Sequence, residues 1–258
     1  MTLENFKKSN KVRRESIAKK AGMSVEEYIK TLSTEKVCET KKILTKKYKV
    51  VSTKKVIHNV VLLDSSGSMR GAKYNNSISG ITAELESVKS NNETTIYNYL
   101  YDFLDYSRVL VERYSKQESP EFNFRKLDPA GNFTPLYTSL FTLLTKLSDI
   151  PESEKVLVKV YTDGENNGSW DKQIPCAALI KFLGKKNFTI TFVATESDMK
   201  NIVRDLQLDD SNTLTISNTG DGFKKAFDKS LIATKDYVTK VENNEEVSSG
   251  FYKSVGKL

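Results

Sequence analysis

The chain has 258 residues, of which 38% are hydrophobic and 28% are charged, so its composition predicts a globular protein with one sizeable core. No apolar stretch approaches the roughly 20 residues that a membrane-spanning helix needs, and the charged first residues lack the apolar segment of a secretory signal. The two cysteines, Cys38 and Cys176, are far apart and have no metal-binding spacing. We therefore expect neither a disulfide framework nor a zinc site. We expect a cytoplasmic location, where cysteines stay reduced.

The net charge of +7 is unevenly distributed along the chain. Residues 1–55 carry 16 Lys and Arg against 6 Asp and Glu, whereas the rest of the chain carries 24 against 27. A basic arm of this kind is typical of nucleic-acid binding, and equally of a solvated, lysine-rich linker. The composition leaves both interpretations open.

Residues 1–33 predict a small helical hairpin. Ser24 and Glu27 have the spacing of a capping box at the start of its second helix. Glu26 and Glu27 would repel phosphates from that helix N-terminus, which argues against the hairpin as a helix-turn-helix reader of DNA. The hairpin could instead dock onto a protein assembly or pack on the main domain. Residues 34–55 lack periodicity and are interpreted as a basic linker.

Strands and helices alternate across residues 56–232, which we treat as the main domain. This alternation predicts a doubly wound, mostly parallel α/β sheet with helices on both faces, carrying the N-terminal helical appendage. The polar residues 233–258 are expected to form a weakly structured tail. The predicted strands are 56–63, 94–103, 108–114 (an edge hairpin partner), 155–161, 188–194 and 213–216, and the predicted helices are 74–89, 135–147, 172–183, 195–206 and 221–232.

Oxygen-bearing side chains lie in three loops of this predicted domain. Asp64, Ser66 and Ser68 come after the first strand, Asp163 comes after the strand at 155–161, and Thr134 precedes a helix. Ligands on parallel sheets bind outside the carboxyl ends of the strands. Two carboxylates and three hydroxyls with no soft ligand nearby suit a hard cation.

The same residues resemble the motifs of von Willebrand factor type A (VWA) domains. Asp64, Ser66 and Ser68 match the family's DxSxS motif, Thr134 followed by Pro-Leu matches its threonine loop, and Asp163 within TDGEN matches its terminal aspartate. The resemblance covers roughly residues 56–232 and implies a Rossmann-like fold with a complete metal-ion-dependent adhesion site (MIDAS) in a protein of the intracellular type.

That resemblance also implies roles for the five residues. Ser66 and Ser68 would bind the cation directly, Thr134 directly or through water, and Asp64 and Asp163 mainly through water. The cation would be Mg²⁺, with Mn²⁺ or Ca²⁺ possible, and one coordination position would accept an Asp or Glu of a protein partner. Intracellular VWA proteins often resemble adaptors, for instance to AAA+ ATPases.

Two aromatic residues stand near the predicted site. Phe133 occupies a position at which the family commonly has a small residue, and Trp170 lies in the loop after Asp163. They would either form a partner-binding aromatic rim around the metal or pack beneath their own loops.

Catalysis is not expected. His58, the single histidine, lies inside the first predicted strand, and the sequence has neither a GxSxG nucleophile elbow nor a Walker A motif. The predicted function is therefore metal-dependent binding of a protein partner as an interaction module or adaptor, without membrane association. The alternative is nucleic-acid binding through the basic arm.

Overall fold

The computed structural model describes residues 54–119, 129–164, 166–167 and 170–256, together with Ser24 alone. The predicted helical hairpin and nearly all of the predicted basic linker lie outside these residues, and both stay predictions.

The core of the described domain is a six-stranded sheet of order β3-β2-β1-β4-β5-β6. All neighbouring strands are parallel except β3, which pairs with β2 in antiparallel orientation at one edge. The doubly wound α/β prediction, including the antiparallel edge strand, is confirmed. The strands are β1 Lys55–Asp64, β2 Thr94–Phe103, β3 Val111–Gln117, β4 Lys155–Tyr161, β5 Phe188–Thr195 and β6 Thr213–Ile216.

Helices cover both faces of this sheet, so side chains from both sides of β1 are buried. The helices are α1 Ala72–Ser87, α2 Leu136–Leu147, α3 Gln173–Gly184, α4 Glu196–Leu206 and α5 Gly220–Glu242. Val61 and Leu63 belong to the apolar cluster shared with α1 and α5, while Val60 and Leu62 belong to the cluster shared with α2, α3 and α4. A strand covered on both faces has a continuous apolar run rather than an alternating one. None of the helices in the described part of the chain is long and apolar enough to cross a membrane.

The expectation of a weakly structured tail after residue 232 was wrong. Helix α5 continues to Glu242, and Tyr237 and Val241 prolong its buried face at helical spacing. Beyond the helix, Phe251 and Tyr252 are buried in the core. The Tyr252 amide donates to Ser211 O at 3.0 Å. Most polar residues of this segment are exposed or only partly buried, which is why composition alone suggested a weakly structured tail.

Candidate functional site

Three loops meet at the carboxyl edge of the sheet. Strands β1 and β4 are parallel neighbours with Leu63 opposite Tyr161, so the loops that follow them start side by side. The loop before α2 joins them through two backbone hydrogen bonds. Gly67 N donates to Gly131 O at 3.2 Å, and Ala130 N donates to Ser65 O at 3.2 Å. The topology thus brings together the segments that carry all five predicted site residues.

Carboxylate and hydroxyl groups form a connected cluster at this edge. The Ser66 and Ser68 hydroxyl oxygens lie 3.0 Å apart, and the Ser68 hydroxyl donates to Asp163 Oδ1 at 2.7 Å. Asp64 accepts the Ser66 amide at Oδ1 (2.8 Å) and the Thr162 hydroxyl at Oδ2 (2.6 Å). Both carboxylates are therefore held in fixed orientations by neighbouring donors. Thr162 was not among the predicted site residues, although it adjoins Asp163 in the same loop.

Thr134 completes the set from the opposite loop. A Cβ atom placed on Gly164 would lie 3.2 Å from Thr134 Oγ1, and one placed on Gly67 would lie 2.7 Å from Gly131 O. Glycine at these two positions lets the three loops approach one another closely. Ser66, Ser68 and Thr134 all line one open cleft of about 480 Å³.

Asp64 is fully buried next to the cleft-lining Ser66. Burial raises the pKa of its carboxyl group to about 6, against the opposing effect of the hydrogen bonds from Thr162 and Ser66. Removing a carboxylate from water disfavours its ionised form, and a nearby positive charge favours it. The buried carboxylate is thus suited to lie close to a cation.

Two basic side chains flank the cluster. The Lys73 ammonium group, from the first turn of α1, contacts Asp163 Oδ2 and donates to Asn218 Oδ1 at 3.0 Å. Arg70 lines the cleft and donates from Nε and Nη2 to Pro129 O at 3.1 and 2.9 Å. Neither residue was predicted from the sequence. Their position could have indicated them, because residues that follow Ser68 so closely must lie near the same edge of the sheet.

Two consecutive asparagines tie the Asp163 loop to the start of α2. The Thr134 amide donates to Asn167 Oδ1, and the Tyr137 amide donates to Asn166 Oδ1 at 3.3 Å. Amides at a helix start lack intrahelical acceptors, so these side chains supply what a local N-cap residue would supply. Asn166 and Asn167 therefore position Thr134, a role that the sequence did not reveal because the capped helix lies about 30 residues earlier.

The donor set fits a hard divalent cation held largely by neutral oxygens. In the described part of the chain, no group of three or more His, Cys, Asp or Glu side chains could hold a metal. The edge cluster instead offers two carboxylates and three hydroxyls, a set suited to Mg²⁺, which retains several waters when bound to proteins. The Lys73 ammonium group against Asp163 shows that a positive charge is accommodated at this cluster.

Two exposed aromatic residues adjoin residues that line the cleft, Phe133 beside Thr134 in the chain and Tyr106 against Asn167. Phe133 is 47% exposed and Tyr106 is 50% exposed, and their ring centroids lie 5.1 Å apart. The Tyr106 hydroxyl also donates to Asn167 O at 3.4 Å. Phe133 is thus not packed beneath its loop. Trp170 begins a short 3₁₀ turn, Trp170–Lys172, and its side chain lies outside the described part of the structure.

His58 lies far from the serines, as its position in the first strand predicts. It is buried, and its ring nitrogens each lie 2.6 Å from a partner, Nδ1 from the Tyr99 hydroxyl and Nε2 from Glu154 Oε2. His58 precedes Asp64 by six positions along the extended strand, a distance of roughly 20 Å. The structure does not place it beside Ser66 or Ser68.

Comparisons with known proteins identify the fold. No protein-family profile and no curated protein matches the sequence. Among solved structures, proximal thread matrix protein 1 (PTMP1) from the mussel byssus, with a zinc-occupied MIDAS motif, has a TM-score of 0.53 and 15% identity over 70% of this chain and 46% of that one. The described domain has a VWA-like fold.

Two further structures support the same fold. The pilus adhesin SpaC from Lactobacillus rhamnosus GG has a TM-score of 0.52 and 12% identity over 70% of this chain and 30% of that chain. The SpRpn10 VWA domain has a TM-score of 0.50 and 12% identity, and the likeness covers 95% of that domain and 70% of this chain. The present chain thus spans less than half the length of PTMP1 and of SpaC. Identities this low show a shared architecture only, so the function has to be inferred from the geometry of the site.

Proposed function

We propose that the chain is a divalent-cation-dependent protein-binding module, a VWA domain with a complete MIDAS that recognises an acidic residue of its partner. One observation carries the proposal: Asp64, Ser66, Ser68, Thr134 and Asp163 belong to three loops that converge at the carboxyl edge of a VWA-like fold, where the three hydroxyl residues line one cleft. The zinc in the MIDAS motif of PTMP1 supports a divalent metal in this position of the fold.

In this proposal the hydroxyls of Ser66, Ser68 and Thr134 hold the cation, while Asp64 and Asp163 orient those hydroxyls and bound waters. Mg²⁺ is the expected ion, with Mn²⁺ and Ca²⁺ as alternatives. A cation held by few anionic ligands keeps positive charge toward the cleft and attracts a carboxylate from outside. Phe133 and Tyr106 would add apolar contact at the rim of that polar interaction.

We further propose an adaptor role without catalysis, in the cytoplasm. The sequence supports these points through its cysteine usage and the absence of nucleophile and nucleotide-binding motifs. An AAA+ ATPase is one partner class that the family resemblance suggests. The alternative function, nucleic-acid binding, rests on the charge of residues 1–55 alone.

Cation binding is tested first, by calorimetric titration of the full chain with MgCl₂ and MnCl₂. Thr134→Ala is expected to lower the affinity at least about tenfold, since it removes one neutral oxygen ligand of an ion that demands near-ideal geometry. Thr142→Ala is the matched control, because Thr142 is an exposed residue of α2 whose hydroxyl donates to the backbone oxygen of Thr138 in the same helix. Equal affinities in all three proteins, or no binding by the wild type, would refute the metal site.

The partner is then sought by capture from cell lysate with Mg²⁺ and with EDTA, using the wild type, Thr134→Ala and Thr142→Ala. A partner retained by the wild type and Thr142→Ala only in Mg²⁺, and lost when its own contacting Asp or Glu is amidated, supports the proposed mechanism. Nucleic acid retained equally in EDTA, and released as salt is raised, would favour the basic arm instead.

A further inference from the structure

Lys73 is placed against the candidate site by the first turn of α1. Its side chain is mostly buried, and its ammonium group contacts one oxygen of Asp163 and the side chain of Asn218. The other oxygen of Asp163 accepts the Ser68 hydroxyl. Both oxygens of this carboxylate are therefore engaged, one by a member of the proposed ligand set and one by a positively charged side chain.

The helix turn that carries Lys73 packs against a neighbouring segment of the chain. Asn76, one turn further along α1, donates to Gly220 O at 2.9 Å, and a Cβ atom on Gly220 would lie only 2.8 Å from the Ala72 Cβ. The start of α1 is thus packed closely against the segment that carries Asn218. Lys73 consequently has two oxygen partners, one on the buried carboxylate of Asp163 and one on the exposed side chain of Asn218.

This contact has an electrostatic consequence for any divalent cation at the cluster. The two carboxylates contribute a formal charge of −2, and Lys73 offsets half of it within contact distance of Asp163. A like charge a few ångströms from a bound dication opposes its binding, and partial burial weakens the screening by water and salt.

We propose that Lys73 is a built-in competitor that lowers the affinity of this site for divalent cations by neutralising Asp163. The inference rests on the proposed function, since it concerns the same metal site. With Lys73 in place, the cluster holds its cation weakly, so occupancy follows the concentration of the free ion. The alternative role for Lys73 is to position Asp163 for the cation, and in that case its removal weakens cation binding.

The test is titration with MnCl₂ of the full chain carrying Lys73→Met, Lys73→Arg or, as control, Lys200→Met. Methionine retains most of the apolar stem without the charge, arginine retains the charge, and Lys200 is an exposed residue of α4 paired with Glu196. Lys73→Met is expected to bind Mn²⁺ about tenfold more tightly than the wild type, while Lys73→Arg and Lys200→Met stay within about twofold. Thermal unfolding in EDTA establishes that each variant is folded.

Varying the ionic strength distinguishes an electrostatic effect of Lys73 on Mn²⁺ affinity from an effect of its contacts. The tenfold gain should shrink as NaCl is raised from 0.05 to about 0.5 M, because screening weakens the repulsion that Lys73 exerts. If the wild type binds Mn²⁺ and Lys73→Met binds equally or more weakly, the competitor role is overturned while the metal site stands. If neither protein binds Mn²⁺, the proposed function itself fails.

Discussion

Two of the clusters of buried charge in the described domain differ in how their charges are paired. The edge cluster, comprising Asp64, Asp163 and their hydroxyl neighbours, lies at the strand ends beside an open cleft. The closed cluster comprises Lys159, Glu84 and Asn59, and it lies in mid-sheet beneath α1. In the closed cluster, the Lys159 ammonium group contacts Glu84 Oε1, which also accepts Asn59 Nδ2 at 2.8 Å.

The comparison shows that burial of charge does not by itself mark a functional site. Glu84 and Lys159 neutralise each other within the core, and the charges face no solvent. The edge cluster has two carboxylates, and its hydroxyl members Ser66 and Ser68 line the cleft, where further oxygen ligands and waters can enter. A closed pair is suited to holding elements together, whereas an edge cluster with accessible hydroxyls is suited to exchange of an ion.

The largest expected effect on stability comes from opening the closed cluster. Lys159→Met should lower the free energy of unfolding by about 3–5 kcal/mol, because it leaves the Glu84 carboxylate buried without its counter-charge. Urea denaturation monitored by fluorescence and circular dichroism gives this value.

The paired replacement serves as the control. Lys159→Met combined with Glu84→Leu should recover most of the loss, since apolar groups of similar volume can replace a buried ion pair at little cost. Cation affinity should stay unchanged in the double variant. A single variant as stable as the wild type would contradict the assignment of this cluster as a stabilising pair.

The sequence predicted the sheet because its strands are buried on both faces and have continuous apolar runs. It also predicted that the loops carrying the five proposed site residues converge, because parallel strand order places the ends of β1 and β4 side by side. Lys159 was predicted only as part of a strand, because its partner Glu84 lies 75 residues earlier on α1. Lys73 and Asn167 were missed for the same reason. Their roles come from contacts between loops, which no local periodicity records.

His58 is expected to have an intermediate effect on the free energy of unfolding, and this effect depends on pH. Burial lowers the pKa of its imidazole below 6.5, and this outweighs the opposing influence of Glu154, while Lys116 adds to the lowering. The folded protein thus favours neutral His58, whereas the unfolded chain takes up a proton near pH 6.5. Stability from this residue is present above pH 6.5 and is lost as the pH falls, by at most about 1.4 kcal/mol per pH unit.

Subtracting a variant without the histidine isolates this contribution. The difference in unfolding free energy between the wild type and His58→Gln should shift against the wild type from pH 7.5 down to pH 5.5, in urea titrations at constant ionic strength. A shift in the wild type's favour over that range would mean that pairing of an imidazolium with Glu154 outweighs desolvation.

The smallest expected change in stability comes from the edge cluster itself. Asp64→Asn should leave the free energy of unfolding within about 1 kcal/mol of the wild type or raise it, because it removes a fully buried carboxylate and its desolvation cost. The hydrogen bonds can be kept. The new amide nitrogen can donate to Thr162 Oγ1, whose hydroxyl can turn to Gly164 O, 3.2 Å away.

The same substitution should lower the affinity for Mg²⁺ or Mn²⁺ at least about tenfold, since one of the two negative charges that attract the cation is lost. Calorimetric titration and urea denaturation on one preparation give both quantities. Lys159→Met and Asp64→Asn should therefore have opposite effects. Lys159→Met should lower stability and leave cation affinity unchanged, whereas Asp64→Asn should leave stability nearly unchanged and lower cation affinity. If Asp64→Asn instead lost several kcal/mol and bound the cation normally, the Asp64 carboxylate would be a structural anchor like Glu84. The distinction between the two clusters would then fail.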